Sequence, residues 1–243
     1  MKKIGIVGWK VSDNSFGITT AYYNWLSYFG NVTVIMPNET EVREDLDVIV
    51  LPGGPDVDTS RYIGEEALNI NVGKPCPFRE RFDRVLLPKY IQKRIPLFGI
   101  CRGHQSLAVH FGGTLKQHMG HENNPSHDRG KLVHKVSFTG EGKELLKDLG
   151  FVNSDFTNYQ INSIHHQSVD VIPINSVEIC YHKEDFNNEA LAYTNYPCYS
   201  TQYHPEEIVN DKIANTLLEE LLQVGIGGVT KAMAIDESIT TNM

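Results

Sequence analysis

Three short stretches, far apart in the chain, carry the groups that could do chemistry together. In PLFGICRGHQSL, residues 96–107, Cys101 stands between Gly99 and Gly103. A free thiol has a pKa near about 8.5, so at neutral pH it attacks weakly unless its surroundings favour the thiolate. The G-x-C-x-G spacing is that of a nucleophile elbow, a strained strand-to-helix turn where flanking side chains would collide. Such a turn sets the thiol at a helix N-terminus, whose free N–H groups and dipole favour an anion. Taken alone, the pentapeptide fits a buried structural cysteine beside an ordinary turn equally well.

The second stretch, QYHPEE at 202–207, offers a base and a group to orient it: His204 and, two residues on, Glu206. A carboxylate placed there accepts the second imidazole N–H and favours imidazolium during acyl transfer. His-Pro-Glu after a strand is also what a helix cap looks like, so its meaning comes from being paired with the elbow. The third stretch, LPGGPDVD at 51–58, has Gly53 and Gly54, which let backbone approach a ligand closely. The N–H of Arg102, directly after the thiol, is one donor for an acyl oxyanion, and this loop is a candidate for the other. By itself it is a plain Pro-Gly turn. Together the three describe acyl transfer through a thioester.

For these stretches to meet, they must lie at one edge of a sheet. KKIGIVG, NVTVIMP, DLDVIVLPGG and IPLFGI are short, nearly continuous apolar runs ending in Gly or Pro, the character of strands buried on both faces of a parallel sheet. TTAYYNWLSYFG and 102–111 have helical spacing, with Tyr22, Tyr23 and Trp25 read as packing residues. Phe82, Val85, Leu86, Tyr90 and Ile91 form a stripe on a helix over 78–94, which Pro88 should kink or limit in its first part. The alternation predicts a doubly wound α/β fold, a single mostly parallel sheet flanked by helices, with ligands at the carboxyl ends of its strands. In the second half KLVHKVSF, INSIHHQSVDVIPI, SVEICYH, EALAYT and CYSTQYHP follow with little helix between them, a β-rich extension of the same sheet. An amphipathic helix from about Glu207 to Val224 carries Ile208, Ile213, Leu217, Leu218, Leu221 and Leu222. The expected organisation is one domain over 1–224 and a flexible tail over 225–243.

The 243 residues are 40% hydrophobic with a formal net charge of −8, enough for a real core. No basic patch invites nucleic acid and no polybasic or long apolar segment invites a membrane, so a small-molecule partner and a cytoplasmic location are expected. Cys76, Cys101, Cys180 and Cys198 are widely spaced, which suits reduced thiols. His118, His121, His127 and His134 crowd into 118–134, but their spacing matches no common zinc pattern. A loop over the active-site edge is expected there, and no metal or other cofactor.

In their order and spacing, LPGGPDVD, PLFGICRGHQSLAVHFGGTLKQ and QYHPEE resemble the class I glutamine amidotransferase superfamily, with its Cys-His-Glu triad and flavodoxin-like fold. RERFD at 79–83, GICRGHQSL, GGTLKQHM and INSIHHQSVD are most similar to its γ-glutamyl-γ-aminobutyrate hydrolase and γ-glutamyl hydrolase branch, peptidase C26. The resemblance covers about residues 1–224. It implies hydrolysis of a γ-glutamyl amide, of glutamine or a small γ-glutamyl amine, through a thioester on Cys101, with His204 as base then acid and Glu206 orienting it. It places Gly54 and Arg102 at the oxyanion hole, Gln105 at the glutamyl group and His166 and Gln167 near its α-carboxylate. The chain departs from the branch in three places, one of them Pro88, which interrupts a helix that normally runs on. RERFD stands where the branch has RD-x-x-E, and NNEALAY replaces a D-G motif before the penultimate strand. The same triad also serves glutaminase subunits that pass ammonia to a synthase partner, so a synthase partner or self-association is compatible with it. A catalytically idle binding module would have no need of all three residues.

Overall fold

In Val48–Leu51 all four side chains are shut off from solvent, Val48 and Val50 on one face of the strand and Ile49 and Leu51 on the other. A strand of this kind belongs in the middle of a sheet covered on both sides. The computed structural model describes residues 1–12, 15–36, 38–62, 72–119 and 129–234. In chain order its elements begin with β1 (Lys3–Val7), β2 (Trp9–Ser12), β3 (Ser15–Gly17), α1 (Thr20–Ser27), β4 (Asn31–Ile35) and β5 (Val48–Leu51). Then come α2 (Pro77–Arg81), α3 (Leu87–Gln92), β6 (Leu97–Ile100), α4 (Arg102–His110) and β7 (Thr114–Lys116). The second half holds β8 (His134–Phe138), α5 (Gly140–Asp148), β9 (Gln160–Ile161), β10 (Ser168–Val171), β11 (Ser176–His182), β12 (Asn188–Tyr193), β13 (Cys198–Thr201) and α6 (Lys212–Val224).

Nine strands form one sheet in the order β4-β1-β5-β6-β13-β12-β11-β8-β9. From β4 to β13 neighbours run parallel; from β13 onward they run antiparallel. The expected doubly wound α/β sheet with a β-rich second half is therefore the fold. Helices α1, α5 and α6 build the core on one face of the sheet, which includes Ile4, Ile6, Val50 and Phe98, with α5 lying against β11. Helices α3 and α4 cover the other, against Val7, Ile49, Leu51 and Leu97.

Several expectations are corrected. INSIHHQSVDVIPI does not join the main sheet as one piece: β9 closes its edge, whereas β10 pairs with β7 in a separate ribbon. Pro88 does not end the helix but leaves a π-turn over Phe82–Leu86, where the Leu87 N–H reaches back to the Phe82 carbonyl. The wider turn shifts the phase of the buried stripe, so Leu87 faces the core and Val85 is 42% exposed. The last helix starts at Lys212, not Glu207, with Asp211 as N-cap accepting from Ala214 N at 2.7 Å. Helix α5 was not expected. Its two glycines look like breakers, yet Gly142 is where the helix backbone lies against Ile179 on β11, leaving no room for a Cβ. Of the expected tail, Thr230 and Ala232 are buried and Lys231 N donates to Glu220 Oε1 at 2.6 Å, while Ile226 and Val229 stay exposed. Residues 235–243 lie outside the described residues.

Candidate active site

The parallel pair β6 and β13 sets the site. With Thr201 in register with Ile100, the carboxyl ends of the two strands lie side by side, and the chain leaves one into Cys101 and the other toward His204. Cys101 has φ +51° and ψ −106°, a left-handed conformation that non-glycine residues rarely adopt. It is held from both sides, its N–H donating to Thr201 O at 2.8 Å and its carbonyl accepting from Gln105 N at 3.1 Å. A Cβ on Gly103 would run into the Leu51 carbonyl, and one on Gly99 would come within 2.6 Å of Leu107. The flanking glycines thus let the elbow fit between β5 and α4.

His204 is 4% exposed and tied at every polar atom of its backbone and at Nδ1. Its N–H donates to Asn162 Oδ1 at 2.9 Å, and its carbonyl accepts from Asn162 Nδ2 at 2.9 Å. Ring Nδ1–H donates to Glu206 Oε1 at 2.7 Å, which leaves Nε2 as the free ring nitrogen. Burial works to strip the proton from this imidazole. The Cys101 thiol, within hydrogen-bond reach, and the Glu206 carboxylate overcome that and raise its pKa to about 10. Tyr22 Oη accepts from Gly53 N at 2.9 Å and lies 3.4 Å from His204 Nδ1. Burial first, then the Glu206 and Cys101 charges, push this phenol well up, so it stays protonated. Gly53 is needed here, because a Cβ would sit 2.7 Å from His204 Cε1.

The loop 52–55 is fixed from beneath by side chains of α2 and its π-turn. Arg79 donates to Gly53 O at 3.0 Å and Pro52 O at 2.8 Å. The Arg102 side chain turns away from the thiol, donating to Pro55 O at 3.1 Å, Asp83 Oδ2 at 2.5 Å and Glu80 Oε1 at 2.6 Å. Arg61 adds a second cation to Asp83 at 2.8 Å. What Arg102 presents toward Cys101 is therefore backbone, the first N–H of α4. The swapped carboxylates of RERFD both reach the same guanidinium, so the change of side-chain length is absorbed within one ion-pair network.

Two cavities meet at Cys101 and Gly54. The larger, about 650 Å³, is bordered by Trp9, Tyr22, Ile164, His204 and the Arg129–Glu207 pair. The smaller, about 60 Å³, is bordered by Asp56, Gln105, His165, His166 and Gln167. The structure thus brings all eight expected site residues to one place: Cys101, His204 and Glu206 in contact, Gly54 and Arg102 beside the thiol, and Gln105, His166 and Gln167 around the small cavity. Gln105 Nε2 donates to Gln167 O and Gln202 Oε1, both at 3.1 Å. His166 Nε2 lies 3.1 Å from Asp56 Oδ1; that hydrogen bond raises the imidazole pKa, while burial opposes it. His118 reaches His166, with 3.3 Å between their Nδ1 atoms, so this part of the histidine-rich stretch does border the site. His121 and His127 lie outside the described residues, and His134 is interior on β8. Sequence reasoning missed Tyr22, Asn162 and Arg79. Tyr22 sat in an ordinary apolar helix pattern and Asn162 in a run with no periodicity, so neither carried a signal. Arg79 was marked only as part of a motif.

A family model described as Peptidase C26 matches residues 4–206. The "Putative glutamine amidotransferase-like protein YvdE" of Lactococcus lactis is 29% identical over 223 residues, covering 85% of this chain and 91% of that one. A glutamine-hydrolyzing GMP synthase subunit of Methanocaldococcus jannaschii is 24% identical, with 88% and 95% covered. Among solved structures, a glutamine amidotransferase from Thermotoga maritima superposes with a TM-score of 0.55 at 14% identity, over 99% of this chain and 85% of that one. Among the described residues, no helix is long and apolar enough to cross a membrane.

Proposed function

We propose that this chain, which belongs to the peptidase C26 family, is a cysteine-dependent hydrolase of a γ-glutamyl amide, glutamine or a small γ-glutamyl amine. The observation that carries the proposal is the strained Cys101 elbow beside a His204 whose Nδ1–H is held 2.7 Å from Glu206. In the reaction the Cys101 thiolate attacks the γ-carbonyl carbon and the carbonyl electrons move to oxygen. The backbone N–H groups of Gly54 and Arg102 receive that oxyanion. As the C–N bond breaks, His204 gives its proton to the departing amine, leaving a γ-glutamyl thioester. Water, deprotonated by His204, then attacks the thioester, and glutamate leaves as the thiol is restored. Glu206 holds the imidazole tautomer throughout. The small cavity with Gln105, His166 and Gln167 suits the polar glutamyl half, and the larger cavity is where the amine departs.

A second reading has support in the relatives named as synthase subunits: a glutaminase that releases ammonia to a partner. Steady-state assay of the isolated chain separates the two. A stand-alone hydrolase turns over γ-glutamyl amines unaided; turnover of glutamine alone, and only after a second protein is added, would replace the first reading with the second.

A further inference from the structure

Behind the small cavity, three buried side chains from three different segments converge. His134 on β8, His165 on the loop before β10 and Glu189 on β12 are 8%, 4% and 0% exposed, and their candidate ligand atoms all lie within 4.8 Å of one another. His134 Nδ1–H donates to Glu189 Oε1 at 2.8 Å, a proton released when an ion takes that nitrogen, and His165 Nε2 is 4.0 Å from Glu189 Oε2. The tautomer of His165 is fixed, because its Nδ1 lies 2.9 Å from the Gln167 carbonyl, which can only accept. Nε2 therefore presents a lone pair. Among the described residues neither it nor Glu189 Oε2 has a hydrogen-bond partner, so two buried acceptors face each other across a gap. Leaving such groups unsatisfied in the interior costs free energy. A cation between them removes the cost.

We propose that His134, His165 and Glu189 form a binding site for one divalent transition-metal ion of the Zn²⁺ class. Two imidazoles and a carboxylate are a donor set this class takes, with bonds of about 2.0–2.2 Å that put tetrahedral ligand atoms roughly 3.4 Å apart. His165 Nε2 and Glu189 Oε2, at 4.0 Å, have to draw together by about half an ångström on an ion. The Gln167 carbonyl on the far nitrogen of His165 is the outer support that metal-bound imidazoles usually have. His134 is steadied by its ring stacking on His182, with centroids 3.9 Å apart. The site is structural: His134 and Glu189 border neither cavity at Cys101. The ion tethers the loop carrying His165, His166 and Gln167 to β8 and β12. Since Gln167 O also accepts from Gln105, that tether fixes the wall of the small cavity. The spacing of histidines along 118–134 does not show this site, because only His134 comes from there.

The test uses the full chain, stripped of metal and carrying Cys101→Ala so that the thiol cannot bind the probe. Co²⁺ is followed by its visible d–d absorption and Zn²⁺ by calorimetry and by displacement of Co²⁺. One ion should bind per chain, and Glu189→Gln and His134→Gln should each weaken binding about 100-fold or more, whereas His118→Ala should not. X-ray absorption of the Zn²⁺-loaded Cys101→Ala protein should show imidazole and oxygen ligands and no sulfur, a readout that holds even where a variant fails to fold. No saturable one-to-one binding, the result expected if a water bridges the two acceptors, would overturn the proposal. So would affinity unchanged in both ligand variants, or a coordination sphere without imidazole.

Discussion

Cys101 keeps its side chain in a backbone conformation that costs about 1–3 kcal/mol, and it does so because two backbone hydrogen bonds and two close glycine contacts leave no alternative. Cys101→Ala should abolish turnover while leaving the far-UV circular dichroism and unfolding midpoint close to those of the parent. Glu206→Gln should slow kcat by about 10²–10⁴-fold, less than loss of the thiol, because the carboxylate orients and does not attack. Its pH behaviour is a sharper check. The folded pKa of His204 lies above the ordinary value near about 6.5, so the stability it contributes is complete below that value and is lost as pH rises through about 10. The alkaline limb of kcat/KM should fall in that same upper range. In Glu206→Gln it should move to lower pH, since one of the charges holding the proton is gone. Among the thiols, burial pushes Cys180 and Cys198 well up. Iodoacetamide should therefore label Cys101 faster than either; equal labelling would count against an activated thiolate.

At the scale of elements, α2 and its π-turn are the foundation of the oxyanion loop. Asp83 serves Arg102 and Arg61 at once, and Glu80 serves Arg102 and the Asp58 N–H. Removing one partner from a buried pair leaves the other charge uncompensated, at about 3–5 kcal/mol. Asp83→Asn should lower the denaturation free energy by about that much, and Glu80→Gln by less, as its side chain is less deeply buried. This network was not legible in the sequence: the motif gives Arg102 a role only through its backbone N–H, and nothing in the spacing places two carboxylates beneath its side chain. The strands that end at the site were legible, because burial on both faces demands unbroken apolar runs. Helix α5 was not, since Gly142 is there for close approach to β11 and lowers the very propensity by which a helix is read. The phase of the 78–94 stripe was also out of reach, as one π-turn moves every later side chain.

Over the whole molecule, the sheet order does what the spacing of the motifs only implied. Placing β13 next to β6 brings residues a hundred positions apart to one edge, with β5 on the other side delivering Gly53 and Gly54. The β-rich half does more than extend the sheet: its loop before β10 walls the small cavity, and Asn162 clamps His204. The segment after α6 belongs to the same body. Ending the chain at Val224 would take Ala232 out of the core and leave Glu220 without the Lys231 N–H, so the urea midpoint should drop. An unchanged midpoint would mean that this segment contributes nothing to the fold.

The proposed reaction turns on a covalent bond between Cys101 and a γ-glutamyl group. The direct measurement is the mass of the acyl-enzyme, trapped by acid quench during turnover of a γ-glutamyl amine and mapped by peptide. One added γ-glutamyl group on the peptide containing Cys101, absent in Cys101→Ala, is the predicted result. Turnover that continues in Cys101→Ala, or an adduct carried by any other residue, would contradict it.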